Sequence, residues 1–303
     1  MAAQTLALTD ETVGTLTLGG ELEVRRLGYG AMRITGEGRW GPPKDHDGAI
    51  ATLRTAVELG INLIDTADSY GPNVSEELIA EALYPYPEDL VIATKGGLTR
   101  TGPGQWPPDG RPEHLREACE GSLKRLRLER IDLYQHHRPD PKVPYEESIG
   151  ALKELQAAGK IRLIGVSNVS PEQLDTARSI VDVVSVQNRY NVSDRAMRAG
   201  TLATSIGYDS DDVLERCEEQ GMGFIPFSPL SAGSLTGPGG PMDEIAERHG
   251  AKPGQIALAW LLARSPVMLP IPGTSSVEHL EENVGAAAIE LSEGEIEQLD
   301  EAR

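Results

Sequence analysis

The sequence predicts an α/β fold, a (β/α)8 TIM barrel preceded by a β-hairpin. Two observations support this prediction. Strand-like and helix-like segments alternate through almost the whole chain, and most of the strand-like segments are short, continuous apolar runs. Such alternation implies parallel strands joined by helices, and continuous apolar runs are typical of strands buried on both faces. Eight strand–helix units over about 280 residues fit a closed barrel.

The hairpin is the first element. Residues 15–18 and 21–24 both alternate polar and apolar side chains, and Gly19-Gly20 separates them. A pair of glycines supplies the backbone freedom that a two-residue hairpin turn requires. We therefore expect two antiparallel strands before the first barrel strand.

Eight apolar runs bounded by turn residues are the predicted barrel strands. They lie at residues 26–32, 61–65, 90–95, 131–136, 161–166, 183–187, 223–227 and 267–271. Segments with helical periodicity lie at residues 47–59, 75–83, 112–126, 145–158, 171–180, 211–220, 253–262 and 276–286. Ser75 and Ser170 precede acidic residues as capping hydroxyls at two helix starts, and Pro171 suits the first helical position of the second.

An open, doubly wound sheet is the main alternative for such alternation. That fold usually carries a glycine-rich fingerprint after its first strand. Here the only candidate is Gly28-Tyr29-Gly30, which lacks the third glycine and opens no helix. The sequence contains no linker, low-complexity tract or sharp change in composition, so residues 1–303 are expected to form a single domain.

The charge balance argues against several classes of partner. The chain of 303 residues has 28 Lys and Arg against 47 Asp and Glu, a net charge of −19. An acidic surface disfavours nucleic acid and anionic membranes, which attract clustered Lys and Arg. No Lys or Arg precedes Arg25, and no apolar run approaches the roughly 18 residues of a membrane helix. Cys119 and Cys217 form no CxxC motif and are expected to be buried free thiols in a cytoplasmic protein.

Polar residues follow seven of the eight predicted strands directly. In a barrel, the carboxyl ends of the strands and the loops after them share one face, where the chemistry takes place. From the second strand onward these residues are 65–71, Lys95, 135–138, Ser167-Asn168, Gln187-Asn188, 227–230 and 272–276. The set predicts an active site on that face.

Lys95 is the most informative of these residues. A lysine at the end of an apolar strand is expected to be buried, and a buried ammonium needs a carboxylate partner. Asp65, on the neighbouring strand, is the candidate, although Asp65 alone would also suit a turn cap. His136 and His137 point to opposite faces of their strand and no other ligand stands at metal spacing, so no metal site is expected.

These side chains suit proton donation to a carbonyl oxygen. The pKa of tyrosine is ordinarily about 10, and a nearby ammonium is expected to lower the pKa of Tyr70 by favouring its phenolate. Tyr70 then becomes a candidate general acid, while its alternative role is a loop wedge with a solvated hydroxyl. Reduction also requires a hydride donor, which no side chain supplies and a nicotinamide cofactor does.

With these residues the sequence resembles the aldo-keto reductases. The segments that begin at Asp65, Ile92 and Asp132 are similar to that family's three catalytic segments and follow its order. Residues 165–168, Gln187, 227–230 and 271–275, with Glu282-Asn283, are similar to its cofactor segments. The resemblance covers nearly the whole chain, including the opening hairpin, which in that family closes the bottom of the barrel.

The resemblance implies a role for each catalytic candidate. Tyr70 would donate the proton, and Lys95 with Asp65 would form the ion pair that tunes it. His137, rather than His136, matches the histidine that orients the carbonyl. The implied activity is the NAD(P)H-dependent reduction of an aldehyde or ketone to an alcohol.

The resemblance also implies a nicotinamide cofactor site. Ser167, Asn168 and Gln187 would hold the carboxamide, and Phe227 would stack on the nicotinamide ring. The remaining implied cofactor positions are Gly30, Met32, Ser228, Leu230, Gly233, Gly273, Thr274, Ser275, His279, Glu282 and Asn283.

Two stretches depart from the family pattern. Family members often place Lys and Arg where this chain has Gly273 and His279, to hold the 2′-phosphate of NADPH. Backbone N–H groups, hydroxyls and helix N-termini would then hold the phosphates, which weakens the expected preference for NADPH over NADH. NADPH stays the expected cofactor because the family usually uses it, and NADH is the alternative. Residues 191–210 are longer than the short connection expected between the sixth strand and its helix. They either contact cofactor or substrate or form a surface insertion without such a role.

The substrate is only broadly indicated. Trp40 and Trp106, in loops after the first and third strands, favour a flat or aromatic carbonyl compound, or else they pin those loops to the rim. Arg33, Arg39 and Arg138 would meet an anionic group or form surface ion pairs. The local sequence is similar to that of bacterial family members associated with aldehydes such as pyridoxal.

Two other functions stay open, and both belong to different classes. Some family members are cofactor-sensing subunits of ion channels with slow chemistry, and a metal-dependent barrel hydrolase would use His136 or His137. Family members are often monomers, and the sequence indicates no symmetric interface, so a monomer or weak oligomer is expected.

Overall fold

A short helix and the hairpin open the described part of the chain. The computed structural model describes residues 7–197, 208–231 and 242–301. A one-turn helix, α1 (Asp10–Val13), precedes β1 (Thr15–Leu18) and β2 (Leu22–Arg25), which pair antiparallel. Gly19 and Gly20 between them have φ values of 59° and 69°, in the left-handed region that glycine adopts without strain. The predicted hairpin is confirmed.

Seven strands form one curled parallel sheet. The remaining strands are β3 (Tyr29–Gly30), β4 (Leu63–Asp65), β5 (Val91–Gly96), β6 (Ile131–His136), β7 (Ile161–Ser167), β8 (Val183–Gln187), β9 (Ala196–Met197), β10 (Tyr208–Asp209) and β11 (Gly223–Phe224). The sheet order is β11-β8-β7-β6-β5-β4-β3, while β9 and β10 form a separate antiparallel pair. The seven strands therefore follow one another in the sheet in the order in which they occur along the chain, as barrel topology requires.

The predicted eighth strand, residues 267–271, is an extended segment rather than a regular strand. The backbone N–H of Leu269 donates to the carbonyl of Phe224 (2.8 Å), and that of Gly28 donates to the carbonyl of Pro270 (2.9 Å). The segment therefore bonds to β11 on one side and to the chain just before β3 on the other. Prolines lack the N–H groups that a regular ladder uses, and they stand at positions 266, 270 and 272.

Helices connect the sheet strands. They are α2 (His46–Glu58), α3 (Val74–Leu83), α4 (Pro112–Leu126), α5 (Tyr145–Ala157), α6 (Pro171–Arg178), α7 (Ser210–Gln220), α8 (Asp243–His249), α9 (Pro253–Arg264), α10 (Val277–Gly285) and α11 (Glu293–Glu301). All eight predicted helices are present within a few residues, and α1, α8 and α11 are additions. Within the described ranges, none of these helices is both long and apolar enough to span a bilayer.

The two predicted helix caps differ in outcome. At α6, the Ser170 hydroxyl accepts from the Gln173 N–H (3.2 Å), with Pro171 in the first turn, as predicted. At α3 the prediction is wrong, because the cap position is Asn73 and Ser75 lies inside the helix. The buried Ser75 hydroxyl instead donates to the Ala31 carbonyl (3.0 Å), which ties α3 to the loop after β3.

The hairpin packs against the amino end of the sheet. Leu18, Leu22 and Val24 share one apolar cluster with inward residues of four sheet strands, namely Leu63, Val91, Leu133 and Leu163. Leu63, Val91 and Leu163 lie at or near the starts of their strands, so the hairpin covers the end of the sheet opposite the strand carboxyl ends. Fully burying each leucine contributes about 1.5–3 kcal/mol.

Part of the long connection after β8 is tied to the last helices. The Arg195 guanidinium lies 3.0 Å from the Asp300 carboxylate and 4.6 Å from the Trp260 ring centroid. The sequence predicted that residues 191–210 either contact cofactor or substrate or form a surface insertion. Positions 198–207 of this stretch lie outside the described part of the chain.

Candidate active site

The four predicted catalytic residues meet at the carboxyl ends of β4, β5 and β6. The Lys95 ammonium donates to Asp65 Oδ1 at 2.5 Å and to the Thr66 carbonyl at 2.8 Å. It also lies 3.3 Å from the Tyr70 hydroxyl. Lys95 is 0% exposed and Asp65 1%. The predicted buried ion pair is therefore present, and the tyrosine hydroxyl contacts its cation.

Two glutamine side chains complete the environment of Asp65. Gln135 on β6 and Gln187 on β8 each donate an amide N–H to Asp65 Oδ2 at 2.9 Å. Gln187 also donates to Gln135 Oε1 at 3.2 Å. The sequence assigned Gln135 no role, although it stands two residues before His137. Amide donors at the second carboxylate oxygen fix the orientation that Lys95 needs.

Burial dominates the protonation of Tyr70. It raises the pKa of the Tyr70 phenol above its ordinary value, and the opposing effect of the Lys95 ammonium is smaller. The lowered pKa expected from the sequence is therefore wrong in direction, because desolvation disfavours the phenolate. Burial alone would lower the pKa of Lys95, but Asp65 and Tyr70 together raise it. At neutral pH the pair is a phenol beside an ammonium.

His137 faces Tyr70 across the site. The ring centroids of Tyr70 and His137 are 5.8 Å apart in an edge-to-face arrangement, and the Ser69 hydroxyl lies 3.4 Å from His137 Nδ1. Burial and then the Lys95 charge hold the pKa of His137 well below its ordinary value. This contact allows either tautomer of the ring; with Ser69 as the donor to Nδ1, the neutral imidazole carries its proton on Nε2.

His136 points the other way, as the strand alternation predicted. Its ring lies 5.5 Å from the Tyr145 ring, outside the cluster of predicted catalytic residues. Burial lowers the pKa of His136 to about 4, so this imidazole is neutral. Within the described residues, no group of three or more His, Cys, Asp or Glu side chains is arranged to hold a metal ion.

A cavity of about 550 Å³ runs from the predicted catalytic residues to the start of α10. Asp65 and Tyr70 line one part of it. The predicted cofactor residues in its wall are Gly30, Met32, Gln187, Phe227, Ser228, Leu230, Gly273, Thr274, Ser275, His279, Glu282 and Asn283. The sequence therefore located most of the wall. Gly233 lies outside the described residues.

Ser167 and Asn168 lie beside the cavity wall and are buried. The Ser167 hydroxyl donates to the Gln187 carbonyl (2.8 Å), and the Asn168 amide N–H₂ donates to the His137 carbonyl (3.0 Å). Asn168 has a φ of 60°, and its Oδ1 is buried with no hydrogen-bond partner among the described residues. A buried acceptor of this kind fits a ligand N–H₂ group, such as that of a carboxamide.

Three cations in the wall were not connected to the cofactor by the sequence. Arg33 and Arg39, from the loop after β3, and Lys252, at the start of α9, all line the cavity. The Arg33 Cγ lies 3.4 Å from where a Cβ on Gly273 would stand, and Lys252 pairs with Glu282. These cations come from elements distant in sequence from Gly273 and His279, where family members often place Lys and Arg.

The two tryptophans lie near Tyr70 and are not among the residues that line the cavity. Trp106 is edge-on to the Tyr70 ring at 6.2 Å between centroids. The Arg100 guanidinium lies 3.5 Å from the Trp106 ring centroid and 5.4 Å from that of Trp40. Arg100 also donates to the carbonyls of Arg39 and Ser69 at 2.9 and 2.8 Å. Arg100, which the sequence did not single out, thus holds both tryptophan loops beside the tyrosine.

The comparison with known proteins decides the family. A model of the aldo/keto reductase family matches residues 26–303. The chain belongs to this family of oxidoreductases. The resemblance read from the catalytic and cofactor segments is confirmed.

Several individual proteins are similar over nearly their whole length. An uncharacterized oxidoreductase of Schizosaccharomyces pombe is 48% identical over 99% of this chain and 93% of its own. Pyridoxine 4-dehydrogenase of Escherichia coli is 42% identical over 94% and 97%.

Solved structures agree with the fold. A thermostable aldo-keto reductase in complex with the inhibitor epalrestat has a TM-score of 0.80 at 35% identity, covering 95% of this chain and 99% of that one. A Klebsiella pneumoniae aldo-keto reductase in complex with NADPH has a TM-score of 0.76 at 27% identity, covering 95% and 94%.

Proposed function

We propose that this aldo/keto reductase reduces an aldehyde or ketone to an alcohol with NAD(P)H, and that Tyr70 donates the proton. The observation that carries the proposal is the contact of the Lys95 ammonium with both Asp65 (2.5 Å) and the Tyr70 hydroxyl (3.3 Å) beside the cavity. A bound reduced nicotinamide supplies the hydride.

The protonation states suit Tyr70 as a general acid. Burial keeps the phenol protonated, so a proton is available at neutral pH. When the proton leaves, the ammonium of Lys95 stabilises the phenolate oxygen next to it. Asp65 holds that ammonium in place, and the neutral His137 is able to donate its Nε2–H to the same carbonyl oxygen. These contributions act on charge that develops during the reaction.

The cavity wall provides the proposed cofactor site. Asn168 with Ser167 would receive the carboxamide, and Phe227 would stack on the nicotinamide ring. Ser228, Leu230 and Gly233 are the proposed contacts of the pyrophosphate, and the start of α10 those of the adenosine. Arg33 adds positive charge to this wall, where Lys252 is paired with Glu282. The NADPH complex of the Klebsiella relative supports NADPH as the first cofactor to test.

The architecture proposed for this site is the closed (β/α)8 barrel in a single domain. Residues 267–271 would act as the eighth strand, because they bond to both sides of the opening in the seven-stranded sheet. Closure places the ends of all eight strands around one cavity mouth. The name of the Escherichia coli relative, pyridoxine 4-dehydrogenase, makes pyridoxal a suitable first aromatic aldehyde for the assay.

The test is the loss of NADPH and NADH absorbance with aromatic and aliphatic aldehydes, for the wild type and Tyr70→Phe. Removal of a general acid is expected to lower kcat by about 10²- to 10⁴-fold, while cofactor binding, followed by fluorescence titration, stays close to that of the wild type. Tyr84→Phe is the matched control, since Tyr84 is 48% exposed. Near-wild-type turnover in Tyr70→Phe would contradict the assignment.

A further inference from the structure

The arginines around Tyr70 lack acidic partners. Arg33, Arg39, Arg100 and Arg138 have no carboxylate within 4.0 Å in the described part of the chain, whereas outer-helix arginines such as Arg116 do. The chain has 47 acidic residues against 28 basic ones, so carboxylates are plentiful elsewhere. Arg33 and Arg39 line the cavity together with Tyr70, and unpaired cations beside such a site are suited to an anionic ligand.

The four arginines do not have the same role. Arg100 donates to five backbone carbonyls and stacks on Trp106, so its hydrogen bonds are already used within the loops. Arg33 lies against Gly273, on the proposed cofactor side. Arg138 and Arg39 are the two that remain for a substrate.

Arg138 is the better placed of the two. It directly follows His137, it lies within electrostatic reach of the Tyr70 phenol, and its nearest partner is the Trp106 carbonyl at 3.4 Å. Its Nε–H is buried and has no acceptor among the described residues. A buried guanidinium N–H without an acceptor costs free energy that an anionic oxygen would recover.

The walls around Arg138 restrict the shape of the ligand. Trp106 stands edge-on to Tyr70, and Arg39 lines the same cavity as Tyr70. We propose that the substrate is a flat carbonyl compound with an anionic group, a carboxylate or a phosphate monoester, which Arg138 and Arg39 bind while its carbonyl faces Tyr70 and His137. This inference rests on the proposed function and assigns its substrate class.

Three para-substituted benzaldehydes test the proposal. The neutral probe is methyl 4-formylbenzoate, and the charged probes are 4-formylbenzoate and 4-formylphenyl phosphate. The wild type is expected to show a kcat/KM about 10- to 100-fold higher for at least one charged probe, the range of a charged hydrogen bond. Whichever charged probe is preferred identifies the anionic group.

Variants of Arg138 attribute the preference to this residue. Arg138→Gln is expected to bring the charged-to-neutral ratio close to 1, mainly through KM, and Arg138→Lys to retain part of it. Arg130→Gln is the matched control, because Arg130 is exposed and precedes β6 at its opposite end. Thermal unfolding of each variant shows whether the fold is kept.

Three results would overturn the inference. Equal or better use of the neutral ester by the wild type would show that the arginines do not select an anion. Equal losses for all three probes in Arg138→Gln, in kcat rather than KM, would mean that Arg138 acts on Tyr70. If no probe is reduced in a Tyr70-dependent way, the proposed function fails as well; Tyr70-dependent reduction of the ester alone refutes only the anionic substrate.

Discussion

Replacement of Lys95 by methionine tests how much the buried ion pair contributes to stability. At 2.5 Å and an effective dielectric constant of about 20, the attraction between Lys95 and Asp65 is about 7 kcal/mol. Desolvation of both ions offsets most of it. Removing only Lys95 leaves the Asp65 carboxylate buried with two amide donors, and the free energy of unfolding is expected to fall by about 3–5 kcal/mol.

Urea unfolding followed by far-UV circular dichroism measures this loss. In the Lys95→Met/Asp65→Asn double variant no charge remains unpaired, and Gln135 and Gln187 keep an acceptor. The double variant is therefore expected to be more stable than the sum of the two single changes predicts, by about 1–3 kcal/mol. Lys153→Met, on the exposed face of α5, is expected to change stability by less than about 0.5 kcal/mol. Strict additivity, or a Lys95→Met loss below about 1 kcal/mol, would refute the reasoning.

Three further predictions concern other sites. A hydrogen bond from the Ser292 N–H is the main cause that lowers the pKa of Glu295 from 4.5 to about 2. The stability that this carboxylate contributes is complete above pH 4.5 and declines toward pH 2. Glu295→Gln should remove that acid-dependent part of the stability, as measured by unfolding at a series of acidic pH values. Burial raises the pKa of both Cys119 and Cys217 to about 12, so neither thiol should react with Ellman's reagent at pH 7 until the chain unfolds; rapid native labelling would contradict this. Ser69→Ala should lower kcat without changing cofactor affinity, because the Nδ1 contact that orients His137 is lost; an unchanged kcat would exclude that role.

The contacts among the proposed catalytic residues were predictable because they depend on rules that act locally. Each strand is a short apolar run, and the polar residue at its end lies on the face formed by the carboxyl ends of the strands. Asp65, Lys95 and Tyr70 were read in this way, and the structure brings all three into contact. Strand alternation predicted that His136 and His137 face opposite sides, and the resemblance to the family identified His137 as the catalytic candidate.

What sequence reasoning missed depends on distance along the chain. Gln135 acquires its role only when Asp65, which lies 70 positions earlier, is beside it. Arg100 and Lys252 contact partners in other loops and helices, and no spacing rule connects them to those partners. The direction of the Tyr70 pKa shift was missed because burial, a property of the assembled site, outweighs the visible charge of Lys95.

Asp68 links these buried groups to the pH dependence of the reaction. Burial, followed by the nearby Glu76 carboxylate, raises the pKa of Asp68 to about 8, so Asp68 is uncharged at pH 7. Above pH 8 it becomes an anion close to Tyr70, which raises the pKa of the phenol and disfavours the phenolate that proton donation leaves behind. The wild-type kcat is therefore expected to fall between pH 7 and 9, whereas kcat of Asp68→Asn stays level over that range. A decline in kcat of the same size in the wild type and in Asp68→Asn would assign the effect to another group. Glu147→Gln, on the exposed face of α5, is the matched control.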